Sequence, residues 1–279
     1  MSIKISLITV CYNAERTIEK TIQSVLGQKY ASYEYIIIDG NSKDGTLSVI
    51  ENWSSAFNKK GIAFRVTSEN DMGLYDAMNK GIRKASGSWI WFLNADDFLD
   101  ENAFSAVIES EVLEQNMPCG VYGKMTRFDN GISYVVGERH LTKNTSNITF
   151  NHAATLIHRD CFNQFGVFDI RYRFCADYEL FTRFVKNNVN FIFLPKNLAY
   201  MRGGGVSDKF SNYFNRGIEH YKIDYQYYSM FRVVANAVGY FGLGFIKKAI
   251  KDALVKLHFS HFVSKFYKKK YGIDDHFKS

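Results

Sequence analysis

The sequence predicts an α/β fold: a doubly wound, largely parallel sheet over the first hundred residues, a mixed-sheet half, and a helical tail. Three observations predict it. Short apolar, β-branched runs alternate with amphipathic helical stretches as far as Leu93. Beyond that point a hairpin pattern centred on Asp129, Asn130 and Gly131 replaces the alternation. Near the C-terminus, apolar residues recur only at helical spacing, among lysines.

Each element follows from its local pattern. Ile5–Val10 is a continuous apolar run, as in a buried parallel strand. Asn13 is placed to cap a helix on which Ile18, Ile22, Val25 and Leu26 share a face. Tyr35–Ile38 reads as the second strand and ends at Asp39 and Gly40; Asp44 then caps a helix carrying Leu47 and Ile50. Ile62–Val66 is the third strand. Leu74, Met78, Ile82 and Ala85 form one helical face, and Trp89–Leu93 is the fourth strand, with Trp89 and Trp91 assigned to the core. A helix is expected near Ala103–Leu113, then strands at Val121–Phe128, Ile132–Val136 and His152–His158, and a helix over Tyr178–Asn187. Pro195 is expected to separate strands Phe191–Leu194 and Leu198–Met201. The domain division expected is one α/β domain over residues 1–225 and a basic amphipathic helical tail over 226–279.

Apolar content of 46% and charged content of 23% are those of a chain that buries a core. The net charge of +7 is unevenly placed: residues 1–230 carry 25 basic and 25 acidic side chains, whereas 231–279 carry ten basic and three acidic. A neutral body argues against nucleic-acid binding and sets the basic surface apart. Four scattered cysteines without C-x-x-C spacing predict free thiols in a reducing compartment. The N-terminus enters a strand without a basic n-region, so no signal peptide is expected. Nor is any stretch expected to reach the ~20 apolar residues of a spanning helix.

In a doubly wound sheet ligands bind beyond the carboxyl ends of the strands. Those ends carry Thr9-Val-Cys-Tyr-Asn13, Asp39-Gly-Asn-Ser-Lys-Asp-Gly-Thr46, Ser68–Gly73 and Asn94-Ala-Asp-Asp97. Three of the four present carboxylates, which are costly beside a buried strand unless they meet a cation or donors. Neither a G-x-G-x-x-G turn nor a G-x-x-x-x-G-K-[ST] loop follows the first strand. Phosphates would therefore be neutralised by a metal on the acidic cluster rather than by a glycine-rich cradle. Asp76 and Asn79 read either as ligands or as caps and buttresses of the helix start.

These segments, in this order and spacing, resemble family 2 glycosyltransferases of the GT-A fold over about residues 3–207, and most closely bacterial enzymes of capsule, colanic-acid and O-antigen (lipopolysaccharide) assembly. The resemblance implies an inverting, hexosyltransferase-type transfer from a nucleoside-diphosphate sugar, a UDP-sugar by default, to a saccharide or polyprenyl-linked acceptor. By position, Thr9, Tyr12 and Asn13 would line the nucleotide pocket, Asp39 would face the base, and Asp71 would border the donor. Asn94 and Asp96 occupy the D-x-D positions, with Asn94 replacing the first Asp; Asp96, with Asp97 adjacent, would hold Mn2+ or Mg2+. Asp177 matches the base that takes the acceptor proton, with Ala176 replacing the Glu of the usual pair and Glu179 as fallback. The bland reading of Asp177 is an ion pair with Arg171, Arg173 or Arg183. His152 and Ser207 fall on the acceptor or diphosphate side.

From Ile246 to Leu257 a basic amphipathic helix is expected, extended by Lys268–Lys270. It would either pack on the body or bind an inner-membrane surface through residues 246–270, so a cytoplasmic protein peripheral on that membrane's inner face is expected. Two rivals remain: a sugar-phosphate nucleotidyltransferase, and a non-enzymatic membrane-binding module. The first would normally show a glycine-rich loop after strand one; the second would not need the ordered carboxylates.

Overall fold

The structure, a computed structural model, describes residues 5–30, 32–114, 118–129, 132–136, 151–203, 205 and 210–256. Ser207 and residues 257–270 of the expected basic tail lie outside the described residues. The strands are β1 (Ile5–Cys11), β2 (Tyr33–Asp39), β3 (Ala63–Ser68), β4 (Trp89–Asn94), β5 (Phe98–Leu99), β6 (Cys119–Asp129), β7 (Ile132–Val136), β8 (Thr155–His158) and β9 (Asn190–Arg202). The helices are α1 (Ile18–Leu26), α2 (Thr46–Glu51), α3 (Ser54–Lys59), α4 (Leu74–Lys84), α5 (Ala103–Glu109), α6 (Arg159–Phe165), α7 (Ala176–Lys186), α8 (Tyr213–Tyr227), α9 (Met230–Val238) and α10 (Phe245–Lys256).

The strands form a sheet in the order β3-β2-β1-β4-β8-β6-β9-β5, with β7 paired to β6. β3, β2, β1 and β4 are parallel; β8 then runs antiparallel to β4 and β6. The doubly wound half followed by a mixed half is thus present as expected. Because β2 lies on one side of β1 and β4 on the other, the chain reverses its winding direction at β1. Ligands of open α/β sheets bind at such a switch point, here between the ends of β1 and β4.

Every residue of β1 and β2 is buried, as their apolar runs require. Trp89 and Trp91 are core residues. Their indole N–H groups donate to the Leu113 carbonyl at 3.3 Å and the Ala153 carbonyl at 2.8 Å, so neither polar atom is stranded. All four cysteines are free and buried.

Several expectations are revised. Asn13 does not cap α1, which begins four residues later after Thr17. Its backbone sits at φ 50° and its side-chain oxygen accepts from Lys43 N at 2.8 Å, so it braces two loops instead. Asp44 does serve the start of α2: it accepts from Thr46 N at 3.0 Å and from the Thr46 hydroxyl. β9 runs unbroken through Pro195. The flanking β5 pairs only with Ala199 and Tyr200, so on that side the ladder asks nothing of position 195, and proline's missing N–H is tolerated. His152–Ala154 forms a 3₁₀ turn before β8 rather than part of the strand.

The chain divides into two compact units, Met1–Met125 with Gly137–Met201, and Thr126–Val136 with Arg202–Ser279. In the second, α9 continues through a π turn at Gly239–Gly244 into α10. This continuity overturns the expectation that no stretch is long and apolar enough to span a membrane. By length and composition alone, Met230–Ile250 is, with 21 residues and a mean hydropathy of 1.3. The π turn carries one helix through three glycines, Gly239, Gly242 and Gly244.

Candidate active site

Strand register gathers the motif residues. Cys11 pairs with Asp39, Asp39 with Ser68, and Val10 with Asn94, so the four strand ends reach one level of the sheet. Asp39 has no exposed surface. Its Oδ2 accepts from Ser42 N at 3.0 Å and Ser68 Oγ at 2.6 Å; its Oδ1 accepts from the Ser42 hydroxyl and from Cys11 Sγ at 3.6 Å. Four donors from three strand ends satisfy a buried carboxylate that would otherwise be prohibitively costly. Burial and the Asp39 charge hold the Cys11 thiol far above its ordinary range, so it stays a protonated donor.

Around this post the loops are fastened. Asn13 N donates to Ser42 Oγ at 2.8 Å, Ala14 N to Thr46 Oγ1 at 2.8 Å, and Gly45 N to Glu15 Oε2 at 3.1 Å. The pocket side is left to Tyr12, 61% exposed, and to Asp71. A Cβ added to Gly40 would stand 2.5 Å from Asp71 Oδ2 and 3.4 Å from the Tyr12 ring, so glycine is what lets these two approach the β2 end. Asp71 Oδ1 accepts from Gly73 N at 2.8 Å, and Gly73, at φ 115°, turns the chain into α4. Thr9 is displaced from its expected role: it lies within β1, fully buried, with its hydroxyl accepting from Tyr35 OH at 3.0 Å. It stands two residues before the strand end, too deep in the sheet to line a pocket.

Asn94, Ala95, Asp96 and Asp97 form a turn closed by Asp97 N donating to the Asn94 carbonyl at 3.2 Å. Asp97 is 1% exposed and accepts at Oδ2 from Asn94 Nδ2 at 3.2 Å. Asp96 is half-buried. The amide orientation leaves the buried Asn94 Oδ1 without a hydrogen-bond partner. No cluster of three or more His, Cys, Asp or Glu side chains suited to a metal occurs among the described residues. The donor set is therefore not an all-protein cage. It fits an Mg2+- or Mn2+-type cation, which takes one or two carboxylates and completes its shell with substrate phosphates and water. Asp96 offers the carboxylate and Asn94 an oxygen for a ribose hydroxyl or a metal-bound water.

The first turn of α7 carries the other carboxylates. Asp177 Oδ1 accepts from Tyr75 OH at 3.1 Å and from Tyr178 N at 2.8 Å; Oδ2 lies 3.4 Å from His152 Nδ1. Burial pushes the Asp177 carboxyl up, but His152, the Tyr178 amide and the Tyr75 hydroxyl outweigh it and hold the group below the usual carboxylate range. The same carboxylate, after burial, drives the Tyr75 phenol up, so the phenol remains a donor. The Asp177 side chain keeps 24% of its surface exposed.

Glu179, one helical step on, is 3% exposed and forked by Arg183 at 2.8 and 3.0 Å. Arg183 also donates to the carbonyls of Phe165 and Val167, the latter at 2.8 Å. Arg171 pairs instead with Asp169 at 2.6 Å. Glu179 is thus occupied in fastening α7 to the preceding loop.

Tyr75 and Asn79 are the positioning residues. Four apart on α4, they share a face. Asn79 exchanges two hydrogen bonds with the Phe168 backbone at 2.9 and 3.0 Å, and the Tyr75 ring stacks on Phe168 at 5.4 Å. Asp76 accepts from Met72 N at 3.1 Å, which makes it a cap. His152 is fixed by its turn, where Asn151 accepts from Ala153 N at 2.9 Å and Trp91 tethers the Ala153 carbonyl. Tyr75 as a partner of Asp177 was not legible in the sequence. The available signal was a phenol in the first turn of a helix that follows an acidic loop.

Comparison with known proteins bears on the family and the fold. The profile of glycosyl transferase family 2 matches residues 6–170. A PGL/p-HBAD biosynthesis glycosyltransferase of Mycobacterium bovis is 29% identical over 186 residues, 65% of this chain and 70% of that protein. The poly-beta-1,6-N-acetyl-D-glucosamine synthase of Staphylococcus epidermidis is 36% identical over 106 residues, 38% of this chain and 24% of that protein. Among solved structures, S. aureus TarS 1-349 in complex with UDP-GlcNAc superposes with a TM-score of 0.63 at 18% identity, covering 79% of this chain and 65% of that one. The mannosyltransferase PcManGT from Pyrobaculum calidifontis, in complex with GDP-Man and Mn2+, gives 0.64 at 14% identity over 96% of this chain and 83% of that one. The two solved structures establish a shared GT-A fold, and the profile establishes the family: this chain belongs to glycosyltransferase family 2.

Proposed function

We propose that this chain is an inverting, metal-dependent glycosyltransferase that moves a hexosyl group from a nucleoside-diphosphate sugar, a UDP-sugar by default, to a saccharide or lipid-linked saccharide in bacterial surface-polysaccharide assembly. The observation that carries the reading is Asp177: held below the usual carboxylate range, partly exposed, and contacted by a phenol, a backbone amide and a histidine rather than by an arginine. The similarity to a PGL/p-HBAD biosynthesis glycosyltransferase and to a poly-beta-1,6-N-acetyl-D-glucosamine synthase supports the polysaccharide context.

In this reading Tyr12 and Asp71 border the nucleoside, and the Asp39 post keeps their loops in register. Asp96 would hold the cation, with Asn94 contributing through the oxygen that has no hydrogen-bond partner among the described residues, and Asp97 orients the Asn94 amide. When bound, the cation neutralises charge on the departing diphosphate. Asp177 takes the proton from the acceptor hydroxyl as that oxygen bonds the anomeric carbon. The bond from carbon to phosphate oxygen breaks on the opposite face, so configuration inverts. His152 Nδ1 orients Asp177, while the buried His152 Nε2, without a hydrogen-bond partner among the described residues, is left for a group of the substrate.

A panel of UDP- and GDP-sugars screened by thermal shift with and without Mn2+ tests the donor half. Anomeric NMR of the product tests inversion. Retention of configuration, or stabilisation by nucleotide sugars that ignores both the metal and Asp96→Ala, would overturn the reading.

A further inference from the structure

In the second compact unit, α8 and α9 are joined by two residues and run antiparallel. Tyr213, at the start of α8, stacks on Tyr240 beyond the end of α9 at 4.6 Å and donates to its carbonyl at 2.6 Å. Near the other end, Asn236 Nδ2 donates to Asp224 Oδ2 at 2.9 Å. Between them Gly217 lets the rings of Tyr240 and Phe241 close on α8, since a Cβ there would lie 2.6 Å from each.

Each helix leaves an apolar stripe uncovered. On α8 it is Phe214, Ile218, Tyr221 and Tyr225; on α9 it is Phe231, Val234 and Val238, with Phe231 85% exposed. At about 100° per residue, both stripes stand roughly a quarter to under half a turn from the seam, in the same rotational sense. On antiparallel helices, equal rotation from the shared seam brings both stripes to the same side. The π turn extends the α9 stripe. Along a plain α-helix Ile246 would be rotated about 80° from Val238, whereas the wider turn takes more residues per revolution and brings exposed Ile246 and Ile250 back toward line.

We propose that this hairpin is a membrane-docking element that lies flat in the interface of an anionic bilayer, apolar stripes inward. Charge selects that occupant over a second copy of the chain. Residues 231–279 carry ten basic and three acidic side chains, which attract an anionic leaflet and repel their own duplicate. Lys247 is exposed beside the stripe, and Arg232 is half-buried with its guanidinium over the Tyr228 ring. The seam selects a surface position over a span. Only 6% of the apolar Met230–Ile250 window is buried, yet its helix is tied through Asn236 to buried Asp224 and through Tyr240 to Arg216 on α8. Crossing the bilayer would carry those charges into hydrocarbon. The docking surface therefore begins upstream of residue 246, where the sequence alone placed it.

The test is co-sedimentation of the full chain with vesicles of phosphatidylcholine alone or mixed with phosphatidylglycerol. Wild type is expected to partition at least about tenfold more strongly into the anionic vesicles, and less so as salt rises. Phe231→Asp with Val238→Asp should lower binding about tenfold or more, and Lys247→Gln roughly fivefold. Thermal unfolding of both variants should match wild type, which excludes misfolding. No donor sugar is needed, so vesicle binding stands or falls apart from the transfer reaction. The proposal is overturned if wild type stays in the supernatant with both vesicle types, if the double variant binds like wild type, or if alkaline carbonate fails to release bound protein. A dimer that Phe231→Asp disperses, without vesicle binding, equally overturns it by assigning the face to self-association.

Discussion

Asp39 and Asp177 are both carboxylates at the ends of buried elements, and both are surrounded by donors, yet they are built for different tasks. Asp39 is sealed: two serines, one amide and one thiol occupy both oxygens, and no surface remains. Asp177 is contacted by Tyr75, His152 and the Tyr178 amide, but keeps about a quarter of its surface open. The first can organise loops and cannot exchange a proton with a ligand; the second can do so without losing its orientation. Glu179 supplies the contrast from within the same helix. An arginine neutralises it, and a carboxylate so engaged is a fastener. In the proposed reading, the presence of an arginine partner and the residual exposure, rather than hydrogen-bond count, separate post, base and fastener.

The largest effect should come from Asp177→Asn, which keeps the shape and removes the proton acceptor. Transfer is expected to fall roughly 10²–10⁴-fold with donor binding and thermal stability near wild type; steady-state kinetics beside a melting curve would show it. A fully active variant would erase the distinction between base and post.

Asp39→Asn should act in the opposite way. An amide NH₂ would face donors in a buried site, costing about 1–3 kcal/mol of stability, and the donor KM should rise while kcat at saturation changes little. Denaturant unfolding with donor titration separates the two parameters. An effect on kcat alone would mean that Asp39 touches the reacting atoms.

Tyr75→Phe should be intermediate, lowering kcat about tenfold. Its pH dependence is the sharper readout. In wild type the depressed carboxyl stays ionised below the ordinary aspartate value of about 3.9. The charge, and the stability it brings, are present above that value and lost only as pH falls through the lower folded one. Removing the phenol takes away one interaction that lowers the carboxyl, so the acid limb of kcat should move to higher pH. An unmoved limb would reduce Tyr75 to packing.

Glu179→Gln should have the smallest catalytic effect, with kcat within about twofold, and a stability loss of about 1–3 kcal/mol because Arg183 loses its charged partner in a mostly buried site. A large kcat loss at unchanged stability would promote Glu179 from fastener to base.

Much of this was legible from local sequence. Strand ends at Asp39 and Asn94, the acidic turn at Asp96, the helix that follows Asp177, and the hairpin strands follow from periodicity, turn chemistry and spacing, which act over a few residues. The family resemblance rested on the same short segments. What local pattern could not decide was depth and partnership. Thr9 and Asp39 both sit in apolar strands, but only the register shows the first inside the sheet and the second at its rim. Asn13 reads as a helix cap until the neighbouring strand brings Lys43 to its side chain.

The sequence by itself determined the doubly wound half, the carboxylates at its edge and the basic bias of the tail, because these depend on side-chain period, on strand and helix termini, and on composition. Only the tertiary structure set the surroundings of each carboxylate, on which the proposed roles of base, post and fastener rest. Tyr75 reaches Asp177 across 102 residues and His152 across 25, distances in sequence that no local pattern spans. Likewise, packing of α8 against α9 determined which tail residues remain uncovered, because exposure depends on what lies opposite and not on a residue's own neighbours in the chain.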